Sequence, residues 1–227
     1  MKLLYEGKTK NVFELDEHHV LLKFKDDATG KDGVFDPGAN TVGLTIPGSG
    51  KNNVKLTTYF FEKFKEENIP THYVSANIEE ATLTVKKATM LGRGVEVIVR
   101  YRAVGSFLRR YGDYCEEHDE LGGIIEFTLK DDKREDPPIT KEVLVALQIV
   151  AEEELERIIT ITKKVADIVK DEFKQRDLEL YDIKFEFGRD PETGEILLID
   201  EISAGNMRVY QGKEPIDPTK LTELFFK

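Results

Sequence analysis

The chain has 227 residues, and its 40% hydrophobic and 34% charged residues are typical of a globular protein with a substantial core. Its formal net charge of −11 argues against general binding to nucleic acid or to an acidic membrane, because both of these are themselves anionic. One cysteine excludes an internal disulfide. The lack of a signal-peptide core, or of an apolar run of about 18 residues, leads us to expect a cytoplasmic protein.

The first third of the chain predicts short strands separated by turns, and one helix. Apolar runs between turn residues predict strands at 3–5, 11–14, 20–25, 72–76 and 82–87. The glycine- and proline-rich stretch 35–50 predicts a loop. Apolar residues at helical spacing predict a helix over 53–67, which ends just before Pro70.

A glycine pair divides the chain into two predicted lobes. The segment Met90-Leu91-Gly92-Arg93-Gly94 stands between two strand patterns, and such a segment is typical of a hinge. We therefore predict an N-terminal lobe of residues 1–89 and a C-terminal lobe of residues 90–227.

The C-terminal lobe combines strand and helix patterns. Strands are predicted at 95–102, 124–129, 179–187 and 195–202. Gly105-Ser106 opens a short predicted helix, and another begins near Thr140. The longest helix is predicted from about 151 to 173, because one apolar stripe keeps helical spacing throughout.

The last two predicted strands form a hairpin that carries carboxylates. In 181–187, apolar residues alternate with Asp182, Lys184 and Glu186, so the three polar side chains share one face, as they also would on a solvated strand. If the turn is centred near Thr193, Asp200 lies directly opposite Glu186, with Cβ atoms about 4.5–5.5 Å apart. A register shifted by one residue would put Asp200 on the other face.

Two carboxylates that meet in a buried hairpin need a cation. Lys184 could supply it, but a divalent ion held by oxygen ligands suits the pair better. Magnesium that accompanies a nucleotide typically binds one or two protein carboxylates together with the phosphates. The hairpin therefore predicts a magnesium–nucleotide site at Glu186 and Asp200.

Two glycine-rich segments are weak candidates for a phosphate site. Gly7-Lys8-Thr9-Lys10 offers backbone access and positive charge, although most turns of this kind are only turns. The loop 47–53 is not a P-loop, because Thr45 stands where the first glycine is required and Asn52 follows the lysine in place of Ser or Thr.

The segment 100–110 is the stronger candidate. Four arginines, including Arg100, Arg109 and Arg110, surround Gly105-Ser106, and Ser106 can cap the helix that begins there. Guanidinium groups match the geometry of phosphate. The segment favours a phosphate monoester, and the alternative is a surface patch that balances the acidic run after it.

Taken in chain order, these segments resemble the SAICAR synthetase family. The resemblance covers nearly the whole chain. No single segment is decisive, and the specificity comes from the occurrence of all the segments in this order. The matching segments are Leu4-Tyr5-Glu6-Gly7-Lys8-Thr9-Lys10, Phe24-Lys25-Asp26-Asp27-Ala28-Thr29, Val85-Lys86-Lys87, Glu96-Val97-Ile98-Val99-Arg100, Gly105-Ser106, Lys130-Asp131-Asp132, Asp136-Pro137, Asp182-Ile183-Lys184-Phe185-Glu186-Phe187-Gly188, Asp200-Glu201-Ile202-Ser203 and Arg208.

The resemblance implies an α+β, two-lobed fold, with an antiparallel-sheet N-terminal lobe, a larger α/β C-terminal lobe and an ATP cleft between them. It implies a purine-biosynthesis ligase that uses ATP and Mg²⁺ to join carboxyaminoimidazole ribotide (CAIR) to L-aspartate through an acyl phosphate, giving SAICAR, ADP and phosphate. It implies small-molecule substrates, no nucleic-acid or membrane partner, and it allows a homodimer.

The resemblance also assigns residues to the nucleotide and its metal. The residues assigned to ATP are Lys8, Lys10, Val12, Lys87, Met90, Glu186 and Asp200. Met90 falls in the segment behind adenine, and Lys8 and Lys10 match lysines near the phosphates. Glu186 and Asp200 match the magnesium ligands, in agreement with the hairpin argument.

The remaining assignments concern the ribotide and the reacting groups. Arg100, Ser106 and Arg208 match positions that hold the ribotide phosphate. Asp182 and Lys184 match residues that line the reacting centre. Lys130 matches a lysine that reaches toward the transferred phosphate.

The chain departs from the family pattern in several places. Ser203-Ala204-Gly205 replaces Ser-Pro-Asp, which removes a carboxylate near the ribotide, and Tyr210-Gln211 replaces Trp-Asp. The hinge after Met90 is longer, and we expect the segment before Lys227 to lack the family's usual terminal helix. These changes leave open a paralogous ligase with an altered acceptor, a small-molecule kinase and a non-catalytic nucleotide-binding module.

Overall fold

The computed structural model describes residues 1–31, 34–35 and 42–227. Its N-terminal elements, in chain order, are β1 (Leu3–Glu6), β2 (Lys10–Glu14), β3 (His19–Phe24), β4 (Asp27–Lys31), β5 (Val34–Phe35), β6 (Val42–Thr45), α1 (Ser49–Glu66), β7 (Tyr73–Asn77) and β8 (Thr82–Lys86).

The remaining elements belong to the C-terminal part of the chain. They are β9 (Thr89–Met90), β10 (Val95–Arg102), α2 (Gly105–Tyr111), β11 (Glu120–Leu129), a 3-10 helix (Asp132–Arg134), β12 (Pro138–Ile139), α3 (Lys141–Ala146), α4 (Glu152–Lys174), β13 (Glu179–Arg189), β14 (Ile196–Ile199), β15 (Met207–Gln211), β16 (Glu214–Pro215) and α5 (Pro218–Phe225).

The N-terminal sheet is antiparallel and has the strand order β1-β2-β3-β8-β7. Strand β3 alternates between buried and more exposed residues, as the period of two for a half-buried strand requires. Its buried residues Val20, Leu22 and Phe24 pack in a small core with Val54 of α1. Strands β4, β5 and β6 form a separate small sheet beside it.

The larger sheet follows the order β12-β11-β10-β13-β15-β16, and β14 and β9 pair with β13 off this path. Helix α4 covers its apolar face. The apolar stripe of α4 is buried from Leu155 to Phe173, so the predicted long helix is confirmed. The opposite face of the sheet is polar, and this is the face that carries the candidate site.

Helix α1 packs on both sheets. Val54 belongs to the small N-terminal core, whereas Phe60, Phe61 and Phe64 are fully buried in the core of the larger sheet. The mixed fold with antiparallel sheets agrees with the predicted fold class. The lobe boundary at residue 89 stays a prediction, and α1 precedes that boundary in the chain.

Several predicted element boundaries were wrong. Helix α1 begins at Ser49 and not at residue 53, because Asp26 caps its N-terminus. The two carboxylate oxygens of Asp26 accept hydrogen bonds from the backbone N–H groups of Gly48 and Gly50, at 3.0 Å each. The predicted loop 35–50 therefore contains β6 and the start of α1, and its residues 36–41 lie outside the described residues.

Two further elements differ from the prediction in the C-terminal part. Strand β11 begins at Glu120, ahead of the predicted start at residue 124, and includes Gly122 and Gly123 at positive φ. The proline-marked end of the chain forms α5, whose Leu221 and Phe225 are buried in the main core. Across the described residues, no helix is long and apolar enough to cross a bilayer.

Candidate active site

The predicted register of the carboxylate hairpin was wrong by one residue. Glu186 of β13 lies opposite Ile199 of β14, and Asp200 follows the end of that strand. The turn is closed by the pair Asp190 and Glu195, whose backbone bond measures 2.9 Å, so four residues form the loop. A loop with an even number of residues cannot be centred on Thr193, and the pairing shifts accordingly.

Asp200 nevertheless faces the same cluster as Glu186, because it leaves the strand with a φ of 71°. Its carboxylate accepts a short hydrogen bond from Lys10 of β2. The neighbouring Glu201 accepts from the same ammonium group at 2.8 Å. Glu186 accepts from Lys130 at 2.6 Å. A left-handed backbone turn thus replaces the strand pairing that the sequence predicted.

The two carboxylates influence each other electrostatically. Burial, and after it the negative charge of Asp200, raises the pKa of Glu186 above its usual range. Burial acts in the same direction on Asp200, but the charges of Lys10 and Lys130 outweigh it and lower the pKa of Asp200. One carboxylate of the pair therefore ionises more readily than the other, as expected for two acids in one site.

A row of polar side chains crosses the larger sheet at this point. Glu96 of β10 lies in register with Glu186 on one side and with Thr128 of β11 on the other. Like charges placed opposite each other destabilise a sheet unless cations compensate. Lys184 donates to Glu96 at 2.7 Å, and Thr128 donates to the other oxygen of Glu96 at 2.7 Å.

The lysines of this cluster are held in their charged form. Burial lowers the pKa of each ammonium group, but the neighbouring carboxylates outweigh it, so the pKa values of Lys10, Lys130 and Lys184 are all raised. We call this group the lysine–carboxylate cluster. Its members are Lys10, Glu96, Lys130, Lys184, Glu186, Asp200 and Glu201.

A second group, the arginine cluster, adjoins it on the same sheet. Arg100 is 1% exposed and donates to Glu126 at 2.7 Å, to Asp182 at 2.8 Å and to Ser106 at 2.8 Å. Arg208 donates to the same Asp182 oxygen at 2.7 Å. The members of the cluster are Arg100, Ser106, Arg110, Glu126, Asp182 and Arg208.

The carboxylate of Asp182 thus binds the guanidinium groups of both arginines. The Arg100 donors named above point to protein acceptors in β11, β13 and α2. The Arg208 side chain is 19% exposed, so it is the more accessible of the two arginines. The structure brings Arg100, Ser106 and Arg208 together, and it places Asp182, which the resemblance assigned to the reacting centre, among them.

Four other residues assigned to the nucleotide are not members of these clusters. Lys8 pairs with Asp132 at 2.6 Å, and both side chains are exposed. Lys87 lies 3.9 Å from Glu14. Met90 is 39% exposed and pairs with Gly188 at the end of β13. Val12 is partly buried beside the small N-terminal core.

Several residues that shape the site had no predicted role. Glu96 and Glu201 occur in the quoted motifs, and the Asp200-Glu201 doublet could have suggested a second partner for a lysine. His72 gave no sequence signal at all. It is buried, and burial lowers its pKa to about 4, so the ring is neutral near pH 7.

Comparison with known proteins identifies the family. The family model of SAICAR synthetase matches residues 3–221. A phosphoribosylaminoimidazole-succinocarboxamide synthase from Clostridium tetani is 55% identical over 227 residues, which is 100% of both chains.

Solved structures agree with this match. A crystal structure of phosphoribosylaminoimidazole-succinocarboxamide synthase from Ehrlichia chaffeensis has a TM-score of 0.85 at 26% identity and covers 99% of this chain and 95% of that chain. A SAICAR synthetase in complex with ADP has a TM-score of 0.83 at 32% identity, with 97% and 93% covered. The chain belongs to the SAICAR synthetase family.

Proposed function

We propose that this chain joins the carboxylate of CAIR to the amine of L-aspartate, with conversion of ATP to ADP and phosphate. Family membership supports the ligase reaction, and the ADP complex of a relative with 32% identity supports the use of a nucleotide. The observation that carries the proposal is the lysine–carboxylate cluster. It brings four acidic side chains, Glu186 and Asp200 among them, together with three lysine ammonium groups.

The donor set of this cluster fits magnesium that arrives with a nucleotide. Glu186 and Asp200 are oxygen donors whose charges repel each other, so a cation shared by the pair would be favourable. Within the described residues, no group of three or more His, Cys, Asp or Glu side chains could hold a metal by itself. We therefore assign the ion to Glu186 and Asp200 together with the phosphates of ATP. When bound, magnesium neutralises negative charge on those phosphates.

The lysines contribute fixed positive charge. Because the pKa values of Lys10, Lys130 and Lys184 are raised, these side chains stay ammonium ions at neutral pH and act by charge rather than as bases. In the proposed reaction, the ribotide carboxylate attacks the γ-phosphate of ATP, the bond to the β,γ-bridging oxygen breaks, and ADP leaves as the acyl phosphate forms. The aspartate amine then displaces phosphate and forms the amide. The protein contributes mainly positioning and electrostatic stabilisation.

The arginine cluster suits the ribotide. Arg208 is accessible and is held by Asp182, while Arg100 and Ser106 lie behind it. We assign the phosphate monoester of the ribotide to Arg208, with Arg100 and Ser106 as its support. Met90 is assigned to the adenine of ATP, Lys8 and Lys10 to its phosphates, and Val12 and Lys87 to the nucleotide without a more specific role. The cytoplasmic location and the homodimer stay predictions.

A coupled assay tests the proposal. ADP release is measured with ATP, magnesium, L-aspartate and CAIR, and the amide product is followed separately. We expect both signals with the wild type, and we expect Glu186→Ala to reduce the rate by at least about 100-fold, because the variant removes one of the two acidic ligands.

Omission of aspartate separates the alternatives. A ligase releases little ADP without the amine, whereas a small-molecule kinase continues to turn over. A nucleotide-binding module binds ATP and releases no ADP with any acceptor. The proposal would be contradicted if the wild type released no more ADP than Glu186→Ala.

A further inference from the structure

His72 lies at the junction of the two sheets, outside the lysine–carboxylate and arginine clusters. It is 4% exposed and packs edge-on against Phe61, with 5.7 Å between ring centroids. Its backbone N–H donates to the Leu198 carbonyl in β14 at 3.0 Å, and its own carbonyl accepts from the backbone N–H of Lys86 at the end of β8 at 2.7 Å. Both sheets therefore fix the place of this ring.

The imidazole reaches the backbone of Asp200. The distance from His72 Nε2 to the Asp200 carbonyl oxygen is 3.1 Å. A carbonyl oxygen only accepts hydrogen bonds, so Nε2 carries the proton and donates it. The contact joins residues that are 128 positions apart in the chain.

Asp200 is a residue whose backbone needs support. It lies one position beyond the end of β14 and has a φ of 71°, in the left-handed region that is unfavourable for an L-residue. Its carboxylate is bound by Lys10 while its carbonyl is bound by His72, so the residue is held from two sides. Two positions later, Thr57 Oγ1 bonds to both backbone groups of Ile202 at 3.2 Å.

We propose that His72 is a positioning residue for the metal–nucleotide site. By donating Nε2–H to the Asp200 carbonyl, it holds the left-handed turn that directs the Asp200 carboxylate into the cluster. This inference rests on the proposed function, because it takes Asp200 as a magnesium ligand. Groups that orient a metal ligand are typically worth 10–100-fold in metal affinity.

Two amide substitutions at His72 provide the test. In His72→Gln the side-chain amide can approach the position of Nε2, whereas His72→Asn is one methylene shorter and does not reach the carbonyl. Titration calorimetry with ADP, with and without magnesium, measures the gain in nucleotide affinity that magnesium provides. We expect His72→Gln to keep this gain within about threefold and His72→Asn to reduce it about tenfold or more. The KM for ATP should likewise stay near the wild-type value in His72→Gln and rise in His72→Asn.

Folding is checked by thermal unfolding of each variant. His72→Leu, which is apolar and lacks a donor, is made alongside as a second donor-free variant in case His72→Asn does not fold. A purely structural role predicts that loss of the gain follows loss of stability. Our inference predicts that loss of the gain follows loss of the donor, whatever the stability of the variant.

Asp200→Asn separates the failure of this inference from the failure of the proposed site. Suppose that Asp200→Asn loses the magnesium-dependent gain, while His72→Gln and the donor-free variants either all keep the gain or all lose it. The role of His72 is then overturned, and the proposed metal site stands. If Asp200→Asn keeps the full gain, the metal assignment itself is wrong and the inference falls with it.

Discussion

At the scale of single residues, the site depends on side chains that are held by an opposite charge and on one residue that has no side chain. Arg208 is bound to Asp182 at 2.7 Å. Gly105 lies against its guanidinium group, because a Cβ at residue 105 would come within 2.7 Å of Arg208 Cζ. Gly105 also has a φ of 56°. This glycine therefore serves both the backbone turn into α2 and the placement of Arg208.

The substitution Gly105→Ala should displace Arg208 and weaken ribotide binding. Loss of a charge-assisted hydrogen bond costs about 1.5–3 kcal/mol, so the KM for the ribotide should rise at least about tenfold. The matched control is Gly212→Ala, since Gly212 has a φ of 61° and nothing within 4 Å of an added Cβ.

Both alanine variants should lose about 1–2 kcal/mol in the free energy of unfolding because of their positive φ. Only Gly105→Ala should change the KM. Steady-state kinetics and urea unfolding measure the two effects separately, and an equal KM in the two variants would show that Gly105 does not place Arg208.

At the scale of elements, a buried acid joins two helices of the main core. Glu172 of α4 accepts from Tyr59 of α1 at 2.6 Å and from Arg176 at 2.9 Å, and it forms a short hydrogen bond with Lys63 of α1. Burial favours the neutral acid, but these donors and charges outweigh it and hold the pKa of Glu172 below its ordinary value of 4.5. The helix contact is therefore stronger when Glu172 is ionised.

Because the pKa of Glu172 is lower in the folded protein than in the unfolded chain, its ionised form stabilises the fold at any pH above the unfolded-state pKa. This stabilisation is lost as the pH falls through the folded-state pKa. We expect Glu172→Gln to lower the free energy of unfolding by about 1.5–3 kcal/mol at pH 7. The difference from the wild type should shrink once the pH falls below about 4.5. Urea unfolding across this pH range measures it.

Glu156→Gln is the control for that measurement. Glu156 is an exposed residue of the same helix, so its replacement should change the free energy of unfolding by less than about 0.5 kcal/mol. A deficit for Glu172→Gln that does not change with pH would contradict the role of its ionised form.

At the scale of the whole molecule, the two sheets share one helix. Leu56, Phe60, Phe61 and Phe64 of α1 are fully buried in the core of the larger sheet, although α1 precedes the predicted lobe boundary in the chain. Removal of a buried aromatic residue costs about 3–5 kcal/mol, and total stabilities are about 5–15 kcal/mol. The C-terminal segment therefore depends on α1.

A fragment of residues 90–227 should fail to unfold cooperatively, because it lacks the four α1 residues named above, which are buried in the core of the larger sheet. A fragment of residues 46–227 includes α1 and should recover a cooperative transition. Thermal unfolding followed by circular dichroism compares the two fragments. A cooperative transition in the shorter fragment at the temperature of the longer one would show that the lobes fold independently.

Local patterns in the sequence were sufficient for the longest regular elements. The period of two in 181–187 and the apolar stripe of 151–173 correctly indicated β13 and α4. The helix start at Ser49 was missed, because its cap comes from Asp26, which lies 22 and 24 positions before the two N–H groups it accepts from. The periodicity of α1 depends only on the residues of the helix, so it cannot indicate a capping partner that far away in the chain.

The sequence by itself determined the family, the polar face of β13 and the residue types of the site, since each of these depends only on consecutive or regularly spaced residues. Only the tertiary structure decided how Asp200 meets Glu186. The hairpin register placed Asp200 beyond the strand, and contacts with Lys10 and His72, which lie 190 and 128 positions away, hold its left-handed turn. Such contacts form when distant segments are brought together by folding, so spacing along the chain cannot predict them.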